Sequence, residues 1–169
     1  MQDFNIANRG SPKEFSNKKI NTLIVTMLYP AVLSYCYKNM KKDEAEHSLK
    51  KLGWYLADFL YEVYEGNKSN FQEYLKDFFK FFYFNKIKIE QISENSYRIY
   101  DKKCMLCSDI EIEGLRFHNC IPYAGTIEKL LYWLATDGKI PNYKYNVETI
   151  ASKSSGDRVC IHEIQVRKK

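Results

Sequence analysis

From Cys120 to Val166 the chain changes its hydrophobic period once, and that change fixes the class of fold open to it. Behind Cys120 and Pro122, the residues Ile127, Leu130, Leu131 and Leu134 recur at helical spacing until Gly138 and Pro141 stop the pattern. Tyr143, Tyr145, Val147 and Thr149 then alternate as a strand, SKSSGD supplies a turn, and Val159, Ile161 and the run Ile164 to Val166 read as the returning strand. A helix feeding an antiparallel hairpin has an apolar face to bury, and the rest of the chain must cover it.

Upstream, Leu23, Ile24, Met27, Leu28, Ala31 and Tyr35 form an apolar stripe that starts at Ile20 and has Pro30 inside it, which predicts a long kinked helix. Thr22, Thr26, Pro30 and Ser34 break the stripe, and it falls short of the roughly 20 apolar residues a bilayer asks for, so a buried or dimer-forming helix is expected. A second helix is expected near Asp43, where Asp43 and Glu46 have capping-box spacing, with Leu49, Leu52, Leu56, Phe59, Leu60 and Val63 buried and Gly66 at its end. Gly53 inside that pattern costs about 1 kcal/mol relative to Ala, and the close approach of another backbone would explain it. Asn70 can cap a third helix with Phe71, Leu75, Phe78, Phe79 and Phe82 near one face.

From Lys86 the period falls to two. Ile87, Ile89 and Ile92 suggest a strand, Ser93 to Asn95 a turn, and Tyr97 and Ile99 a returning strand, followed by the loop or strand end DKKCMLCSD and by Ile110 and Ile112 alternating before Gly114. This order predicts an α+β fold in which N-terminal helices pack on a four-stranded antiparallel sheet, with a further helix between two hairpins. No repeat, low-complexity stretch or linker divides the chain. Residues 1–19 read as a mobile tail without an apolar signal core, and residues 20–169 as one domain.

Composition narrows the function. The 169 residues carry 26 basic and 21 acidic side chains, for a net charge of +5, but the basic residues are scattered and form no arm, so nucleic acid is not an expected partner. Fourteen Tyr and ten Phe supply much apolar surface per residue, which suits a packed core or dimer seam first and the wall of an apolar ligand pocket second. Five cysteines, an odd number with two in a CxxC, fit a reducing cytoplasm better than a disulfide frame.

The chemistry-bearing residues gather around those cysteines. Cys104 and Cys107 form half of a zinc pattern, His118 and Cys120 follow as HNC, and Cys160 lies further on. If the CxxC hairpin lies over the start of the Cys120 helix and the Cys160 strand, Cys104, Cys107, Cys120 and Cys160 could hold a structural zinc at Zn–S distances of about 2.3 Å. The competing reading makes Cys120 and Cys160 small buried apolar residues and the CxxC a free dithiol. Lys102 and Lys103 beside that pair are only a weak sign of an activated thiol. No nucleophile elbow, zinc-protease helix, phosphate-cradling loop or calcium loop is present, His47 and His162 read as surface or hydrogen-bonded residues, and Glu111, Glu113 and Glu148 read as strand carboxylates. The expectation is therefore a protein that is not an enzyme.

Two sets of residues carry a family resemblance. The segment Cys120-Ile121-Pro122-Tyr123-Ala124-Gly125, the strand with Glu148 and the closing Gly156-Asp157-Arg158-Val159-Cys160 resemble the 4-vinyl reductase domain. Leu52-Gly53-Trp54 resembles a helix motif of the small TRAPP vesicle-tethering subunits, which share that architecture, so the resemblance spans about Ile20 to Val166. It implies helices on a four-stranded antiparallel sheet, a homodimer through the N-terminal helices, and an internal cavity for a small hydrophobic molecule. Zinc-holding relatives imply ligands at Cys120, Glu148, residue 151 and Cys160. Residue 151 is Ala here, so a family-like site would need a substitute such as His118, Cys104 or Cys107. The loop Gly66 to Ser69 lacks the cysteine on which TRAPP subunits are acylated, so palmitoylation of that kind is not expected.

The reading that follows is a non-catalytic, cytoplasmic module, of use as a sensor component, that binds a small hydrophobic molecule or hydrocarbon between the aromatic third helix and the Cys120 helix. Phe78, Phe82 and Tyr123 are its expected wall residues. No redox cofactor is expected, because no flavin or nicotinamide signature is present. The alternative is a TRAPP-like scaffold or tethering subunit that acts through protein contacts.

Overall fold

The computed structural model describes residues 28–64, 70–83, 85–107, 114 and 117–168. Helices α1 (Tyr29–Asn39), α2 (Lys42–Val63) and α3 (Phe71–Tyr83) precede the hairpin of β1 (Lys88–Ser93) and β2 (Ser96–Asp101). Helix α4 (Ile121–Thr136) then leads to the hairpin of β3 (Lys144–Ala151) and β4 (Cys160–Arg167). The two hairpins join into one antiparallel sheet in the order β1-β2-β4-β3, because β2 pairs with β4 from Ser96 opposite Gln165 to Asp101 opposite Cys160. The α+β order read from the sequence is the observed one.

Helix α4 is the centre of this arrangement. Its buried residues run almost unbroken from Ile121 to Leu131, and Ile127, Leu130, Leu131 and Leu134 are all essentially closed to solvent. One side packs on α2 and another on β3. Burying each such Leu or Ile contributes about 1.5–3 kcal/mol. Glu128 ties the layers together, since it accepts from the backbone N–H of Val147 at 2.8 Å and pairs with Lys50 at 2.8 Å.

The buried seam of α2 differs from the predicted face. Ala45, Leu49, Gly53, Ala57 and Leu60 turn inward at four- and three-residue spacing, whereas Phe59 is 52% exposed and Leu52 and Leu56 are half-buried. Small residues win because the helices cross too closely for large ones. A Cβ on Gly53 would lie 1.9 Å from the carbonyl oxygen of Pro122, and one on Gly125 would lie 1.9 Å from that of Lys50. Thr126 Oγ1 shares its proton between the carbonyl of Gly53 across this crossing, at 3.1 Å, and that of Pro122 one turn back in its own helix, at 3.0 Å.

The helix starts differ in part from the expected ones. Asp43 and Glu46 form no capping box: α2 begins at Lys42, its cap residue Lys41 makes no side-chain bond, and Asp43 and Glu44 sit inside the first turn, where they face the positive end of the helix dipole. Pro30 stands at the start of the described α1, where its missing N–H costs nothing. The predicted helix before Leu28, the tail 1–19, the Gly66 loop and the Ile110–Ile112 strand lie outside the described residues. Asn70 caps α3 as expected, its side chain accepting from the N–H of Gln72 at 2.8 Å.

On β4 the inward face is Cys160, His162 and Ile164, with Ile161 only half-buried. The cysteine and histidine go inside because each has a partner there, as described below. Among the described residues no helix is long and apolar enough to cross a membrane.

Candidate metal centre and its surroundings

Three separate pieces of chain deliver four thiols to one point. After β2, a single 3-10 turn over Met105–Cys107, closed by the N–H of Cys107 on the carbonyl of Cys104 at 3.1 Å, puts both sulfurs of the CxxC on one side. Cys120 sits immediately before α4, whose first turn begins with Tyr123 N–H on the Cys120 carbonyl at 3.0 Å. Cys160 opens β4 opposite Asp101, the last residue of β2. The Sγ atoms of Cys104, Cys107, Cys120 and Cys160 all lie within 4.8 Å of one another. Three of them are fully buried, Cys107 is half-buried, and none is in a disulfide.

The geometry suits a tetrahedral ion. Four sulfurs at Zn–S distances of about 2.3 Å stand about 3.8 Å apart along the edges of a tetrahedron. Four crowded thiols in a site with little water cannot all ionise independently. Hydrogen bonds from Cys104, Cys120 and Cys160 hold the Cys107 thiol far below its usual range, and Cys160 is lowered too, chiefly by its bond with Cys104. Cys104 is pushed well up by its bonds to Cys107, Cys120 and Cys160 and by burial. For Cys120 the bond with Cys104 acts downward, but Cys107, Cys160 and burial prevail and raise it. A soft cation binds the thiolate form of each sulfur and would remove this competition for protons.

Buried polar groups surround the thiols. Tyr29 donates its hydroxyl to the carbonyl of Asn119, and Asp101 accepts from the side chain of Asn85 and from the N–H of Lys103 at 2.9 Å. Burial raises the Asp101 carboxyl despite those bonds. His162 is fully buried, shares a 3.0 Å hydrogen bond between Nδ1 and Thr149 Oγ1, and is pushed down to about 4 by desolvation, so its ring is neutral.

The other candidate ligands stand elsewhere. His118 is held at 2.9 Å by Ser155 Oγ, and Glu148 is an exposed residue bonded to Asn146 at 2.9 Å. Both, with His47, line an open cleft of about 370 Å³ between the starts of α2 and α4 and strand β3. The family-like set of Cys120, Glu148, Cys160 and His118 is therefore not gathered.

The expected wall residues are all closed to solvent: Phe78 is 0%, Phe82 2% and Tyr123 2% exposed. They belong to adjoining ring clusters. Phe78 meets Tyr64 edge-on at 5.4 Å and Phe82 meets it tilted at 5.8 Å between centroids, whereas Tyr123 meets Phe79 at 5.3 Å and Tyr83 at 4.6 Å. Phe79 and Tyr83 both also touch Phe78 and so join the two clusters. The hydroxyls of Tyr74 and Tyr123 are buried without a hydrogen-bond partner among the described residues.

Sequence reasoning gave Ser152 only a place in a turn. Its hydroxyl lies 3.2 Å from the Cys107 sulfur and 3.7 Å from that of Cys120, and the next backbone N–H, of Lys153, points at Cys160 Sγ at 3.3 Å. The signal was the turn composition itself, since Ser at the head of a turn uses its oxygen locally.

A solved structure of trafficking protein particle complex subunit 3 from Naegleria fowleri, covalently bound to palmitic acid, matches 89% of this chain and 98% of that one. The TM-score is 0.70 at 17% sequence identity. A vinyl-4-reductase family protein from Methanocaldococcus jannaschii stands further off, with a TM-score of 0.41 at 16% identity over 80% of this chain and 74% of that one. No protein-family model matches the sequence, and no curated protein matches it. At this identity the first likeness establishes the fold, which is that of a TRAPP subunit.

Proposed function

We propose that this chain is a non-catalytic binding module for a small hydrophobic molecule, with one end of its fold tied by a structural zinc on Cys104, Cys107, Cys120 and Cys160. The observation that carries the binding role is the aromatic interior around α3. Tyr74, Phe78, Phe79, Phe82 and Tyr123 are shut away from water, and two phenol hydroxyls among them, those of Tyr74 and Tyr123, have no partner among the described residues. A buried hydroxyl left unpaired costs about 1–3 kcal/mol, which a guest with an apolar body and one polar end would relieve. The palmitic acid on the Naegleria subunit supports the same reading. Acylation in that loop forms no part of this reading, because Gly66 to Ser69 offers no thiol.

The zinc reading rests on the donor set. Four thiols account for a tetrahedral coordination sphere and leave no position for water, so the ion would contribute folding free energy and would not activate a nucleophile. It would join the end of the first hairpin, the start of α4 and the start of β4. We further propose a cytoplasmic homodimer.

Native mass spectrometry of the purified protein, with titration of palmitate and an aromatic hydrocarbon, tests the binding role. A co-purifying small molecule or saturable binding is expected. Protein free of any guest that binds neither probe would overturn it.

A second reading, a scaffold subunit, is favoured by one feature. Tyr55 and Phe59, one turn apart on α2, are 63% and 52% exposed, and Tyr35 on α1 is 60% exposed. Two large apolar side chains exposed one turn apart, as Tyr55 and Phe59 are, suit a protein partner. A stable, self-sufficient dimer in light scattering favours the binding module, and a sticky monomer favours the scaffold.

A further inference from the structure

We infer that Ser152 is the positioning residue of the thiol centre, the last link of a hydrogen-bond chain that ends on Cys107. This inference rests on the zinc reading above and concerns residues that no ligand pattern contains. The chain starts on a backbone group that can only donate: the N–H of Asn119, next to Cys120, gives its proton to Ser154 Oγ at 3.1 Å. Ser154 Oγ stands 2.7 Å from Ser152 Oγ, and the N–H of Ser154 also points at Ser152 Oγ at 3.3 Å. A hydroxyl has two lone pairs and one proton. In the thiol form Cys120 donates to Ser152 Oγ, but sulfurs ionised on a metal can only accept, so with Ser154 Oγ donating to it Ser152 turns its own proton to a sulfur. Cys107 Sγ at 3.2 Å is nearer than Cys120 Sγ at 3.7 Å.

The serine itself is held for this task. It is 0% exposed, and its own N–H is fixed by the carboxylate of Asp157 at 2.9 Å. Next to it, the N–H of Lys153 points at Cys160 Sγ at 3.3 Å. The turn between β3 and β4 therefore presents one O–H and one N–H to two of the four sulfurs. Donors aimed at sulfur stabilise thiolates, and a metal bound by four thiolates carries an excess of negative charge that such donors offset. Outer partners of this kind fix the orientation of a ligand, and their loss lowers metal affinity by about 10- to 100-fold.

The test measures zinc content and its release to a competing chelator in wild type, Ser152→Ala, Ser152→Thr, Ser154→Ala and Ser155→Ala, together with the ligand-field spectrum of the cobalt-substituted proteins. Ser155 serves as the control, because its hydroxyl bonds to His118 and not to the chain. Ser152→Ala is expected to lose metal about 10-fold more readily and to shift the cobalt spectrum, with Ser152→Thr closer to wild type and Ser155→Ala unchanged. Should Ser152→Ala fail to fold, Ser154→Ala at its half-buried position carries the test, with a smaller loss in the same direction. Zinc-loaded wild type with equal retention in Ser152→Ala and Ser154→Ala overturns the role of the serine alone, as does an equal loss in Ser155→Ala. A wild type that holds no zinc overturns the centre itself.

Discussion

The carbonyl oxygen of Pro122 occupies the space that a side chain at Gly53 would need, 1.9 Å from where its Cβ would be. Two helices can come this close only where one of them lacks a Cβ. Gly125 repeats the arrangement in the opposite direction, against the backbone of Lys50. The crossing brings α2 onto the first turn of α4, which Cys120 immediately precedes and in which Tyr123 is set.

The two forces acting on Gly53 have opposite signs, which makes a clear prediction. Helix propensity alone has Gly53→Ala stabilising the protein by about 1 kcal/mol. The clash with the Pro122 backbone, which cannot swing aside as a side-chain tip can, has it destabilising by about 3 kcal/mol. Urea unfolding is expected to show the loss, and a gain would mean the helices do not cross this closely.

The metal centre predicts a selective pattern of losses. Elemental analysis of protein purified without a metal-affinity step should give about one zinc per chain, and Cys104→Ser, Cys107→Ser, Cys120→Ser and Cys160→Ser should each lower it. Cys36→Ser, Glu148→Gln and His118→Ala should not, because none of these groups joins the four sulfurs. Chelation should lower the unfolding temperature of wild type. Retention of zinc in Cys104→Ser and Cys107→Ser with loss in Glu148→Gln would instead select the family-like ligand set.

Which parts of this were legible in the sequence follows from the range of each interaction. Period alone showed α4, the β3–β4 hairpin and the Asn70 cap of α3, since these depend on neighbours within a few residues. The four cysteines were named from ligand chemistry. Their meeting depends on β2 pairing with β4 in a register that sets Asp101 beside Cys160, which no local pattern encodes. The face of α2 was misjudged at Phe59 because hydrophobicity was weighed without the crossing distance, and at that distance Ala45, Gly53 and Ala57 fit where a ring does not. His162 went inside for a similar reason. Its partner, Thr149, is its neighbour across the β3–β4 ladder.

Alkaline titration provides a check on the aromatic interior. Burial pushes the Tyr64 phenol up to about 12, with the nearby Asp77 carboxylate adding to the effect. The folded protein thus favours the neutral phenol. The stabilisation is complete below the unfolded value near 10 and is lost as pH rises from 10 to 12. With a discount for partial contact with water, Tyr64 contributes on the order of 1 kcal/mol to this loss. Tyr64→Phe should flatten that part of the stability profile while the rings of Tyr74, Phe78, Phe81 and Phe82 keep their packing partner. An unchanged profile between pH 10 and 12 would place the Tyr64 hydroxyl in water.

The exposed face of α2 separates an interface from an ordinary surface. Tyr55 and Phe59 lie on one stripe of the helix, four residues apart, and both leave more than half of their surface open. Inside one protomer they contribute little, so Phe59→Asp should change the stability of a monomer by no more than about 0.5 kcal/mol. In a dimer seated on this face, the same charge would lie against an apolar surface of the second copy and would be costly to desolvate. Light scattering coupled to size exclusion should therefore show a dimer for wild type and a monomer for Phe59→Asp. The variant's circular dichroism should remain that of a folded chain. A wild-type monomer, or a dimer whose mass Phe59→Asp leaves unchanged, would remove this face from any contact between copies.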